Sequence, residues 1–174
     1  DFSNLANWTD ASFDKTENYT YDINSDNQLE ITLEAGRTND VFLKYNGTID
    51  STKKLAFEFD LKVEGDVSSN FEAGFELKNG AQWAATASFA KGKVKTQWST
   101  TATEVDEQTH KVKIVTDPAT ATVSVYLDGN AVLENAAYLQ SQTSWNTMQF
   151  FVKGNNSANA LTACFDNLVI TVEE

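Results

Sequence analysis

Apolar and polar residues alternate with a period of two along most of this chain. Leu29, Ile31 and Leu33 alternate with Glu30 and Thr32, and Leu55, Phe57, Phe59, Leu61 and Val63 alternate with Ala56, Glu58, Asp60, Lys62 and Glu64. A strand points successive side chains to opposite faces, so each of these segments has one dry face and one wet face. Phe71, Ala73, Phe75 and Leu77 repeat the pattern against Glu72, Gly74, Glu76 and Lys78. Asn79-Gly80 then supplies a tight hairpin into a small-residue strand over 81–88, and Lys91-Gly92 turns the chain into a strand over 93–98.

Residues 99–108 are polar, lack alternation and read as a loop before a strand over 109–116. Asp117-Pro118 suits a type I turn, a strand follows over 121–127, and Asp128-Gly129 closes a hairpin into 131–134. In the strand over 147–152, Met148, Phe150 and Val152 share one phase while Gln149 and Phe151 face the other way. The last segment, 162–172, is apolar on both faces in places, as suits a strand deep in a sheet. No segment reads at helical spacing. About a dozen short strands in a single sheet would expose an apolar face, so the pattern predicts an all-β, two-sheet antiparallel β-sandwich (jelly roll). It is expected to form one domain over residues 1–174.

Composition narrows the partners. The net charge of −12 comes from 25 acidic against 13 basic residues spread along the chain. Such a surface repels phosphate backbones and anionic lipid, so no nucleic acid and no membrane insertion are expected, and neutral glycans or cations fit better. No apolar run approaches the roughly 18–20 residues of a membrane span, and the segment is expected to be a mature or excised piece of a larger chain. Cys164, the single cysteine, lies in an apolar stretch and is expected to be a buried structural thiol.

The second half reads His110 to Ile114, Asp117 with a short turn, Val123 to Gly129, and Phe165 to Thr171. This series resembles the closing part of concanavalin A-like jelly rolls, which include bacterial carbohydrate-binding modules and laminin-G-like domains. Asp1-Phe2 followed by Trp8-Thr9 resembles the first strand of such modules, with Trp8 in their core. The resemblance implies a last strand near the first, and often a structural Ca2+ where the two meet. Asp166, with Asp1 as partner, would ligate it by position, and hard oxygen ligands suit that ion.

Laminarinases and lichenases share the fold and place their carboxylates on one strand, which Glu58-Phe-Asp60 followed by Glu64 resembles. Six residues at about 3.3 Å each separate Glu58 from Glu64 by roughly 20 Å, too far for one glycosidic bond. His110 is the only histidine and Arg37 the only arginine, which leaves a Tyr-His-Arg lyase set thin. His110 is in phase with Val112 and Ile114 and is expected to be a partly buried strand-end residue.

Sugar rings present apolar C–H faces to aromatic side chains and hydroxyls to polar ones. Trp83 interrupts a strand of Ala, Thr and Ser and Trp98 ends the neighbouring strand, so the two are placed side by side as a platform on a sheet face lined with small residues, the alternative being that both are core residues. Trp145 falls in a loose stretch, while Tyr126, Gln149 and Phe151 point away from their strands' apolar phase, with Glu72 and Asp60 as hydrogen-bond acceptors. The expectation is a non-catalytic carbohydrate-binding module, extracellular or at the cell surface, that binds a plant-type polysaccharide and is attached to catalytic or scaffold domains. The alternative is a laminin-G-like protein-binding domain, with a glycan hydrolase or lyase third.

Overall fold

The computed structural model describes residues 5–15, 18–65, 72–102, 105–154 and 158–173. Among them lie fourteen strands: β1 (Trp8–Asp10), β2 (Tyr19–Ile23), β3 (Leu29–Leu33), β4 (Val41–Tyr45), β5 (Leu55–Gly65), β6 (Ala73–Asn79), β7 (Gln82–Ala90), β8 (Lys93–Thr96), β9 (Ser99–Ala102), β10 (His110–Asp117), β11 (Thr122–Leu127), β12 (Asn130–Ala137), β13 (Thr147–Val152) and β14 (Leu161–Val172). They form two seven-stranded antiparallel sheets. Sheet A runs β1-β4-β13-β6-β7-β8-β9 and sheet B runs β12-β11-β10-β5-β14-β3-β2. The helical residues among those described are two short 3-10 turns, Leu5–Asn7 and Leu139–Ser141.

Alternation explains why the sheets stack. The apolar phase of β5 buries Phe57 and Phe59 against Phe75 of β6 and Phe150 of β13, with ring centroids 5.0 to 6.0 Å apart across the sandwich. Phe165 of β14 closes the cluster at 4.4 Å from Phe150, and Trp8 packs on Phe150 as a core residue, as expected. β14 is central, paired with β3 on one side and β5 on the other, which accounts for its apolar character.

Two expectations are corrected. Residues 99–102 form β9, the edge strand of sheet A, rather than a loop, because backbone pairing with β8 needs no apolar phase. The first and last strands lie in opposite sheets, β1 against β4 and β14 against β3 and β5. The strand next to the last is therefore not the first one.

Three hairpin turns set the register of sheet A's second half and of β11–β12. Gly80 has φ 59 and sits first of two central residues between the paired Asn79 and Gln82, the place where a type II′ turn needs positive φ. Asp128 and Gly129, at φ 49 and 81, are both left-handed as in a type I′ turn. Gln97 and Trp98, at φ 48 and 66, take the same form without a glycine, between the paired Thr96 and Ser99.

Cys164 is 6% exposed, and burial pushes its thiol up to about 11, with Glu30 and Glu64 adding to the effect. At neutral pH the native chain should resist alkylation by iodoacetamide while the urea-unfolded chain reacts, as mass spectrometry would read. Phe75 is fully buried in the cross-sheet cluster. Phe75→Ala should lower the unfolding free energy by about 3–5 kcal/mol in urea titrations.

Candidate functional site

The outer face of sheet A carries a groove of about 220 Å3, lined by Asp40, Glu72, Glu76, Thr86, Ser88, Lys95, Trp98, Phe151 and Lys153. Strand register places these groups. Phe42, Phe151, Gly74, Ser88 and Lys95 follow one another across β4, β13, β6, β7 and β8, and Lys44, Gln149, Glu76 and Thr86 form the next row. Both rows alternate with core residues and face outward.

The floor is unusually polar for a buried surface, with Glu72, Glu76, Ser88 and Gln149 all below 8% exposure. Gln149 donates its amide to Glu76 at 2.7 Å, and the Trp83 side chain also bonds to that carboxyl. Burial raises the Glu76 pKa above the ordinary carboxylate range, with these two bonds pulling the other way. Glu72 is paired with Lys95, accepts the Ser88 hydroxyl at 3.0 Å, and has Lys153 Nζ at 3.8 Å. Asp40 accepts the Gly154 amide at 3.0 Å, and burial raises its pKa as well.

Aromatic rings flank this floor on both sides. Phe151 lies across Gly74: a Cβ there would meet the Phe151 ring at 2.8 Å as well as the Ala87 carbonyl, so only glycine admits the ring. Phe42 is 6.1 Å from Phe151, and the exposed Phe13 stands edge-on to Phe42 at 5.9 Å. At the other end Trp83 and Trp98 meet edge to face at 6.1 Å, and Lys78 Nζ sits 4.9 Å above the Trp83 ring.

Two backbone irregularities create the tryptophan pair. In simple alternation Trp83 shares the phase of Ala85, Ala87 and Phe89, which face the core. The register shifts by one residue between Leu77 paired with Ala85 and Lys78 paired with Trp83, so Ala84 is a bulge and Trp83 turns outward. Trp98 is 59% exposed at the tip of its left-handed turn, a conformation that costs about 1 kcal/mol for a non-glycine residue. Gln97 holds that turn: its Oε1 accepts the Thr86 amide at 3.0 Å and its Nε2 donates to the Ala137 carbonyl at 2.8 Å.

Trp83, Trp98, Gln149, Phe151 and Glu72 thus share one face, while the other expected site residues do not join them. Trp145 is a core residue, 3% exposed and 5.7 Å from Phe57, because the loose stretch before β13 tucks between the sheets. Tyr126 and Asp60 face outward from sheet B, since β11 and β5 belong to that sheet. They line a larger cavity of about 640 Å3, whose polar groups bind one another. Lys113 pairs with Glu58 and Glu173, Lys111 with Asp60, and Asn167 donates to Asp60 at 2.8 Å. That face is an ion-pair lattice, and the groove on sheet A is the candidate site. Glu76, Lys95, Lys153 and Asp40 were not singled out from sequence; only the outward phase of Glu76 beside Gln149 signalled any of them.

The Ca2+ expectation rests on Asp1, which lies outside the described residues, and Asp166. Asp166 accepts from Gln28 at 3.4 Å and from the Asn167 amide at 2.7 Å, and the described residues contain no group of three or more His, Cys, Asp or Glu placed to hold a metal. His110 is held between Asp128, at 2.7 Å, and Asp106, at 3.2 Å, on sheet B. Arg37 is buried and donates to the Asn39 and Asp14 carbonyls. A Tyr-His-Arg set does not converge in the groove.

Two antiparallel sheets with this order and an outward groove define a concanavalin A-like jelly roll of the kind found in carbohydrate-binding proteins. No protein-family model and no curated protein matches the sequence. Solved structures do. A sialidase is similar with TM-score 0.77 and 12% identity over 98% of this chain, which spans 17% of the sialidase. Alginate lyase AlgAT5 of polysaccharide lyase family 7 is similar with TM-score 0.66 and 12% identity, covering 98% of this chain and 96% of the lyase. The metal-free carbohydrate recognition domain of Emp46p follows with TM-score 0.63 and 9% identity, covering 93% and 88%. At these identities the likeness carries the fold alone. It also corrects the expectation of a non-enzyme: several alginate lyases, one from Corynebacterium sp., have this same fold, so the jelly roll is an enzyme scaffold as much as a binding one.

The raised pKa of Glu76 has a consequence for stability. The folded chain holds that proton more tightly than the unfolded one, so the group favours folding most below the ordinary Glu value of about 4.3 and loses that contribution as pH rises through the raised value. Glu76→Gln should therefore gain stability relative to the parent as pH rises through this window, with little difference at its acidic end. Urea titrations of both proteins across the window check it; a constant difference would count against the assignment.

Proposed function

We propose that this chain recognises a glycan along the outer face of sheet A. The observation that carries the reading is the Trp83–Trp98 pair beside the Gln149–Glu76 hydrogen bond: an aromatic platform and fixed polar groups on one rigid sheet face. Sugar binding needs both kinds of surface. The exposure of Trp98 favours a glycan over the laminin-G-like alternative, in which buried tryptophans and an apolar loop patch would serve a protein partner. The carbohydrate recognition domain and the sialidase among similar structures support the same class. Attachment to further domains belongs to this reading, supported by the 17% of the sialidase chain that the match covers, and an extracellular setting belongs to it as well.

A second reading, cleavage of the bound chain in the same groove, is favoured by Glu76. A buried carboxyl that keeps its proton above the ordinary range is a proton donor in the right place. Gln149 fixes its orientation, and Glu72 with Lys95 supplies further polar contacts nearby.

Pull-down and affinity electrophoresis on a polysaccharide panel test the binding reading, with unsaturated-product absorbance and reducing ends followed in parallel for cleavage. At least one polysaccharide should be retained, and Trp83→Ala and Trp98→Ala should each weaken retention by about threefold to tenfold. Retention unaffected by either change would remove the groove as the site. Loss of product formation in Glu76→Gln with retention intact would establish the catalytic role.

A further inference from the structure

Lysines are unevenly placed on this acidic chain. The chain as a whole carries −12. Yet Lys44, Lys78, Lys93, Lys95 and Lys153, five of its twelve lysines, lie on or beside the outer face of sheet A. Among the described residues that line the groove, the acids are Asp40, Glu72 and Glu76. At physiological ionic strength the screening length is about 8 Å. Stacked sheets lie about 10 Å apart, so the acids on the outer face of sheet B are largely screened from a ligand on sheet A. The two lysines that line the groove itself are Lys95 and Lys153.

Resting on the glycan-binding reading, we infer that the groove takes an acidic glycan, one whose sugars bear carboxylates, and that Lys95 and Lys153 receive the carboxylate. The chain contains a template for that contact. The Glu72 carboxylate is 6–7% exposed and is held by these two ammonium groups and the Ser88 hydroxyl. Each ammonium has three donors, and the side chains of Lys95 and Lys153 remain 33% and 42% exposed, so donors are left for a second carboxylate from solution. The partly exposed Lys95 and Lys153 ammonium groups give a carboxylated chain a place to pair on an otherwise acidic molecule.

The experiment compares alginate and polygalacturonate with galactomannan, mixed-linkage β-glucan and dextran sulfate, by affinity electrophoresis with the whole chain at low and high salt. A carboxylated polymer should be retained, and retention should weaken as salt rises. Lys95→Gln and Lys153→Gln should each weaken it by about tenfold, Lys95→Arg should restore it, and Lys111→Gln on the other sheet should leave it unchanged. Lys95→Gln takes the closest counterion from the buried Glu72 carboxylate, so its unfolding midpoint is expected to fall, and retention is compared well below the midpoint of every variant. Retention of the neutral polymers alone overturns the acidic class and leaves the glycan-binding reading standing. Equal retention of dextran sulfate overturns the carboxylate preference, and retention of no polymer overturns the glycan-binding reading itself.

Discussion

Everything on the surface of this chain is positioned by the contact between Phe57, Phe59 and Phe165 of one sheet and Phe75 and Phe150 of the other. Each of these side chains is 2% exposed or less. Aromatic rings in such contacts contribute both buried area and edge-to-face attraction, and deleting one costs several kcal/mol. Because β6 and β13 are held flat on this cluster by their inward residues, their outward residues have no freedom to choose another face. Glu72, Glu76, Gln149 and Phe151 are consequently buried on the outer face, packed among their neighbours on the same sheet. A polar floor of this kind is stable because its members satisfy one another.

Departures from regular alternation give the groove its chemistry. A bulge at Ala84 turns Trp83 outward, Gly74 admits Phe151 across β6, and the left-handed Gln97-Trp98 turn presents Trp98 beside Trp83. The turn is strained and is held by hydrogen bonds from the Gln97 side chain to β7 and to the end of β12. A second bulge, between Asp166 and Val169 with Asn167 at φ 52, lets β14 bury Phe165 before it and Leu168 after it. The same device therefore serves packing in one sheet and ligand presentation in the other.

The concanavalin A-like fold hosts lyases, lectin-type domains and part of a sialidase among the structures similar to this chain. What distinguishes it is the set of side chains in the groove. The single histidine and the single arginine lie elsewhere, and Glu76, Gln149 and the Glu72–Lys95 pair stand in their place. Architecture alone assigns no function to a chain.

Period-two alternation and turn residues were sufficient to predict an all-β sandwich, because a strand's side-chain period is a local property and burial demands that one phase be apolar. The hairpins at Gly80 and Asp128-Gly129, the central last strand and the buried Cys164 were legible from the same local signals, while the core place of Trp8 came from the resemblance to concanavalin A-like jelly rolls. The outward phase of Gln149, Phe151 and Glu72 was legible too, since β6 and β13 are regular through those positions. Tertiary structure alone decided that Trp83 faces out, because a single inserted residue reverses the phase and leaves no mark in composition. It decided that Tyr126 and Asp60 belong to the opposite sheet and that Trp145 fills the core, since strand order across two sheets depends on contacts between distant segments. It also decided where the lysines sit: net charge is a sum over the whole chain, whereas a ligand feels mainly the charges within about one screening length, and folding set Lys95 and Lys153 on the groove itself.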